Sequence, residues 1–141
     1  MIAFVARAIF SFTLVAAVAL LLRAYADIGD GFSAGALAGL GAVLQYVAHD
    51  YGTARRRVAA RLAPTFLALG LLLTLLVTLV PIAAGLPPVT HFPRPGSDVA
   101  HLGALELHTG GLFDLGVAVA VYGAVVGTFD RLFLPRRGSR P

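Results

Sequence analysis

Residues 64–85 read PTFLALGLLLTLLVTLVPIAAG, a run of 22 residues without a charged side chain. An α-helix rises about 1.5 Å per residue, so this run would be about 33 Å long. The hydrocarbon core of a bilayer is about 30 Å thick, and about 20 apolar residues cross it. The stretch therefore predicts a membrane-spanning helix. Pro64 suits its first turn, and Pro81 is expected to kink or end it near the far side.

The rest of the chain has the same character. Of its 141 residues, 58% are hydrophobic and 13% are charged, whereas a globular domain carries about 25% charged residues. This composition excludes a soluble enzyme, a disordered tail and a nucleic-acid-binding domain. We predict an all-α integral membrane protein with four transmembrane helices in a single domain over residues 1–141. The spans are expected at about 2–22, 32–49, 64–85 and 111–134, with a long external loop over 86–110.

The first span has an alternative interpretation. A signal peptide would use Arg7 as its basic residue and Ala24-Tyr25-Ala26 as its cleavage site. A retained helix is the expectation, with Arg7 reaching the membrane surface along its aliphatic stem.

The arginines predict the orientation. The chain has 11 arginines and no lysine, and the densest run lies between residues 55 and 61. If that loop is cytoplasmic, nine arginines lie inside and only Arg23 and Arg94 lie outside. The positive-inside rule therefore favours cytoplasmic termini in a multi-pass protein of the cell (inner or plasma) membrane. The high isoelectric point reflects this orientation, and no nucleic-acid partner is expected.

Glycines recur at helical spacing in the second and fourth spans. Gly31, Gly35 and Gly39 form one stripe, while Gly123 and Gly127 form a pair that follows Gly116 by seven residues. Small residues allow two helix backbones to approach closely in lipid. Packing inside the bundle and contact with other subunits are both open explanations.

Four polar residues are candidates for an ion path. Asp114, near the start of the fourth span, could cap free N–H groups of its own helix or bind a proton or cation. Asp27 and Asp30 could cap the second helix or attract cations at the outer mouth. His49 could relay protons or simply be solvated at the cytoplasmic end.

No catalytic or metal-binding pattern is present. The chain has no cysteine and no G-x-S-x-G, P-loop or H-E-x-x-H motif. His101, Glu106 and His108 match no zinc signature, so neither a metal nor a cofactor is expected. We expect a short interfacial helix over residues 101–108. The first and third spans lack an internal carboxylate, which argues against a self-sufficient proton-coupled transporter or a small drug exporter.

Two segments together resemble a known family. Residues 27–35 read DIGDGFSAG and residues 109–117 read TGGLFDLGV. They are similar to the Pro-Gly-Gly-Gly-Phe turn and the Phe-Asp-x-Gly-Val motif of the MnhB-domain family, which supplies one small subunit of the Mrp multisubunit Na⁺/H⁺ antiporters. The matching residues are Gly29, Gly31 and Phe32 in the first motif and Phe113, Asp114, Gly116 and Val117 in the second. Ile28 and Asp30 depart from the first motif.

The resemblance implies a role. Members of this family are small, non-catalytic subunits that pack beside large complex-I-like subunits and other small membrane subunits, in a complex that exchanges Na⁺ for H⁺. It implies that this chain supports assembly and lines part of the cation path, with no cofactor of its own. Because homologues of the MnhB subunit also occur in membrane-bound hydrogenases, a membrane subunit of a redox-driven ion pump is the alternative.

Overall fold

A computed structural model of the chain describes residues 2–24, 29–88, 101–102, 105–106 and 109–134. The elements are α1 (Ile2–Ala24), α2 (Gly31–Ala48), α3 (Tyr51–Arg57), a 3₁₀ helix (Ala60–Leu62), α4 (Ala63–Ala83), β1 (His101–Leu102), β2 (Leu105–Glu106) and α5 (Thr109–Leu132).

Four helices in these ranges are long and apolar enough to cross a membrane: α1, α2, α4 and α5. The predicted all-α membrane fold with four spans is therefore confirmed. Each of these helices begins and ends within two residues of the bounds predicted for its span. Pro81 lies inside α4, and the helix ends two residues later at Ala83.

The four long helices are arranged in a row. α1 packs against α2, α2 against α5, and α5 against α4. In the most apolar 18-residue stretch of each helix, 50% of the α2 residues are buried, but only 11% of the residues in α1 and in α4. The α2–α5 pair is therefore the centre of the protein, and α1 and α4 are the flanks that present apolar surface outward.

A short helix, α3, follows the second span. The Asp50 side chain accepts a hydrogen bond of 3.0 Å from the Thr53 backbone N–H, which caps the first turn. This bond to Thr53 holds the pKa of the Asp50 carboxyl below its usual value. The cap therefore contributes stability above the usual carboxyl pKa of about 4, and the contribution is lost as the pH falls through the lowered value.

Our prediction of an interfacial helix over residues 101–108 is wrong. His101–Leu102 instead pairs antiparallel with Leu105–Glu106. An isolated helix of eight residues is marginal in water because nucleating it costs more than its few hydrogen bonds return.

Gly123 and Gly127 differ in how closely α4 approaches them. A Cβ at Gly123 would lie 2.5 Å from the Leu67 nitrogen and 2.7 Å from the Ala63 oxygen. A Cβ at Gly127 would meet only the Ala63 Cβ, at an ordinary 3.5 Å. Only the first position requires glycine for packing.

This difference predicts opposite results for the same substitution on the same helix. Gly123→Ala should destabilise the protein by about 1–3 kcal/mol because α4 must move away. Gly127→Ala should be neutral or stabilise it by up to about 1 kcal/mol, because alanine favours the helix. Unfolding of the detergent-solubilised variants measures both, and equal losses of stability would contradict the assigned α4–α5 contact.

Candidate functional site

The predicted glycine stripe of α2 faces α5. A Cβ at Gly31 would collide with the backbone of Asp114, one at Gly35 would lie 2.5 Å from the Ala118 oxygen, and one at Gly39 would lie 2.9 Å from the Val125 Cβ. We call this contact the α2–α5 seam. It places the stripe inside the bundle.

The remaining predicted packing residues lie around this seam. Gly116 and Gly123 face α4, where a Cβ on Gly116 would lie 2.8 Å from the Thr74 Cγ2. Phe113 is half-buried, and Phe32 is exposed beside the stripe. Two close helix contacts therefore share α5.

Asp114 lies at one end of the seam. Because α5 begins at Thr109, Asp114 falls in its second turn, whereas the sequence suggested the first turn. Its side chain is buried, and Oδ2 accepts a hydrogen bond of 2.9 Å from the Gly29 backbone N–H, 85 residues away. The carboxylate thus tethers the turn before α2 to α5.

The other predicted ion-path residues have fewer contacts. Asp30 occupies the N-cap position of α2, but its side chain makes no capping hydrogen bond, so the expected cap is wrong for this residue. Asp27 lies outside the described residues. At the opposite end of α2, both ring nitrogens of His49 are buried and meet no hydrogen-bond partner among the described residues.

A second carboxylate, Asp130, is buried at the other end of α5. Its Oδ1 accepts a hydrogen bond of 2.9 Å from the Tyr46 hydroxyl of α2, and its Oδ2 lies 3.3 Å from the Arg55 Nε of α3. The Tyr46 ring stacks on Phe133, with ring centroids 5.4 Å apart. We call Asp130, Tyr46, Arg55 and Tyr51 the Asp130 cluster.

Tyr51 completes this cluster without a hydrogen bond of good geometry. Its hydroxyl is buried near Asp130, and its ring lies 5.7 Å from the guanidinium carbon of Arg55. Burial and the neighbouring Asp130 carboxylate raise the pKa of the Tyr51 phenol above its usual value. The phenol therefore remains neutral beside the carboxylate at physiological pH.

Two neutral side chains add bonds between elements. Gln45 is fully buried, and its Nε2 donates a 2.7 Å hydrogen bond to the Ala6 carbonyl of α1. The Tyr122 hydroxyl of α5 donates a 2.8 Å bond to the Val58 carbonyl after α3. These bonds fix α1 and the α2–α4 connection to the central pair.

The two α5 carboxylates clamp opposite ends of the same helix pair. They are 16 residues apart, which corresponds to about 24 Å along the axis. Both accept hydrogen bonds from α2 or from the turn before it. The pair therefore serves to hold α2 and α5 together along nearly the whole span.

Sequence reasoning missed Asp130, Tyr46 and Arg55. A usable signal was present, because Gly116, Gly123 and Asp130 are spaced by seven residues, which continues the packed stripe to the carboxylate. An ionisable residue on a buried stripe needs a partner.

The fold and the site define a multi-pass membrane protein whose central helices are joined by glycine contacts and by a carboxylate at each end. Residues 1–127 match the family model described as a domain related to the MnhB subunit of Na⁺/H⁺ antiporter. The chain belongs to this family, as its two motifs suggested. No curated protein matches the chain. The family indicates a transporter component.

The Asp130 cluster yields a prediction for the Tyr46 hydroxyl. Tyr46→Phe should cost about 1 kcal/mol of unfolding free energy, because it removes a buried hydrogen bond. A double-mutant cycle with Asp130→Ala, which removes the acceptor, should give a coupling energy of at least about 0.5 kcal/mol. Tyr51→Phe is the matched control and should change stability less. Additive effects of Tyr46→Phe and Asp130→Ala would contradict the bond.

Proposed function

We propose that this chain is a small, non-catalytic subunit of a multisubunit Mrp-type Na⁺/H⁺ antiporter in the cell membrane. It acts as a single-domain scaffold with cytoplasmic termini, and it packs beside large complex-I-like subunits and other small membrane subunits. The observation that carries the proposal is the use of both buried α5 carboxylates as tethers to neighbouring segments. A group that is bonded in this way suits a fixed framework.

The exposed flanks support the assembly role. Large apolar side chains cover α1 and α4 on their outer sides, among them Phe4 and Phe12 of α1, which are each 75% exposed. In lipid, such surfaces pack against acyl chains or against the helices of other subunits. The rigid central pair would present these two flanks at a fixed separation.

A contribution to the cation path is the second part of the proposal. Asp114, Asp30, Asp27 and His49 are its candidate residues. Asp114 is the strongest of them because it is an ionisable group buried at the end of a span, where such groups usually have a role. Its tether to Gly29 links any occupancy of the carboxylate to the position of the turn before α2.

Purification from native membranes in mild detergent, through a tag on the C-terminus, tests the assembly. We expect mass spectrometry to identify two large complex-I-like subunits together with several small membrane subunits. Recovery of nickel–iron or iron–sulfur subunits would instead assign the chain to a redox-driven ion pump. A chain recovered only with itself would contradict both.

Gly35→Leu tests the seam within the complex. The leucine would be forced into the Ala118 backbone and should separate α2 from α5, so we expect a severe loss of assembled complex. Gly52→Leu adds the same side chain to α3, where the nearest atom to a new Cβ is Asp50 Oδ2 at 3.5 Å, and should assemble normally. A normal yield of complex with Gly35→Leu would argue against the scaffold role.

Two substitutions at Asp114 separate tethering from ion transport. Asn keeps an acceptor for the Gly29 N–H, whereas Ala removes it at an expected cost of about 1–3 kcal/mol. The tether predicts that Asp114→Asn retains assembly and that Asp114→Ala lowers it. The cation-path role predicts that Asp114→Asn lowers exchange in vesicles although the complex assembles normally, and unchanged exchange would leave Asp114 with the tethering role alone.

A further inference from the structure

A groove with a basic rim lies between α4 and α5, at the end of the bundle that carries residues 51–62. Its volume is about 630 Å³, which is within the usual range of about 300–1,000 Å³ for ligand pockets. Its charged lining consists of Arg55, Arg61, Arg131 and Asp130. In the sequence, these arginines indicate only the orientation of the chain.

The charges in this groove are unequal. Three guanidinium groups line it, but only one carboxylate does, and Arg55 already pairs with that carboxylate at 3.3 Å. Arg61 and Arg131 are exposed and make no ion pair within the described part of the chain. The groove therefore has two cationic side chains available for an anion.

The remainder of the lining is largely apolar. Leu67 of α4 and Leu132 and Leu134 at the end of α5 form part of its wall. Gly123 and Gly127 also line the groove, and the absence of a side chain at Gly127 leaves a depression in the α5 surface. The wall continues onto the outer face of α4, which is the least covered part of the bundle together with α1.

We propose that this groove binds an anionic phospholipid. Arg61 and Arg131 hold the phosphate. The first part of an acyl chain lies against Leu67, Leu132 and the depression in the α5 surface at Gly127. A site that combines arginines with an apolar wall at the end of membrane spans matches both parts of such a lipid. A free phosphate would use only the arginines, and an acidic peptide would leave the apolar wall unused.

Lipid titration of the full chain tests this assignment. The delipidated protein in detergent is titrated with phosphatidylglycerol, and binding is followed by native mass spectrometry. Phosphatidylcholine and inorganic phosphate serve as comparison probes. We expect the protein to bind phosphatidylglycerol more tightly than phosphatidylcholine. We also expect inorganic phosphate at equal concentration not to displace the bound phosphatidylglycerol. Displacement by inorganic phosphate would overturn the lipid assignment in favour of a simple anion site.

Paired variants locate the site. Arg61→Gln with Arg131→Gln should weaken phosphatidylglycerol binding about 25-fold, at about fivefold for each arginine near the headgroups. Arg56→Gln with Arg57→Gln removes the same charge from exposed positions of α3 that do not line the groove, and should have little effect. Equal losses in the two pairs would show general charge attraction and would overturn the proposal.

Two further variants guard against misfolding and a different occupant. Arg61→Lys with Arg131→Lys keeps the charge and should retain most of the binding, while an unchanged unfolding temperature shows that the glutamine pair is folded. A photo-crosslinking residue at Leu132, introduced into the native complex, should capture lipid. Capture of a protein subunit there would overturn the proposal.

Discussion

The distance between α2 and α5 is the constraint on which the other contacts depend. Gly31 and Gly35 meet the α5 backbone at positions where any Cβ would collide with it. In lipid, apolar side chains gain little from leaving one hydrocarbon surface for another, so helix pairs are held by close van der Waals contact and by polar bonds. The glycines supply the first, and the carboxylates at the two ends supply the second.

This arrangement also explains why a charge-poor protein keeps two buried aspartates on one helix. An unpaired carboxylate at this depth would be costly, and each offsets the cost of its burial by joining segments that are distant in the chain. Between them, the described middle of the seam includes Ala118 and Val125, which meet Gly35 and Gly39 of α2.

The sequence was sufficient for some features and insufficient for others, for physical reasons. Apolar length alone predicted four spans, because the bilayer imposes a nearly fixed helix length. Helical spacing predicted that Gly31, Gly35 and Gly39 share a face, but spacing cannot tell which helix that face meets. The Gly29–Asp114 and Tyr46–Asp130 bonds connect residues 85 and 84 positions apart, so no local pattern contains them. The paired strands at 101–102 and 105–106 were mistaken for a helix because leucine, alanine and glutamate favour a helix locally, whereas strand pairing depends on contacts between separate segments.

The use of the inner surfaces restricts where other molecules can join. Both sides of α5 are occupied, by α2 and by α4, and α2 is occupied by α5 and α1. The outer faces of α1 and α4 therefore offer the most apolar surface for new contacts, although α2 also exposes side chains such as Leu40 and Val47. A lipid bound between α4 and α5 would make that end of the α4 flank face the bilayer, and α1 would then be the flank with most apolar surface left for a protein partner. The lipid-binding and assembly proposals are thus linked, since a partner helix on the α4 flank at this level would have to displace the lipid.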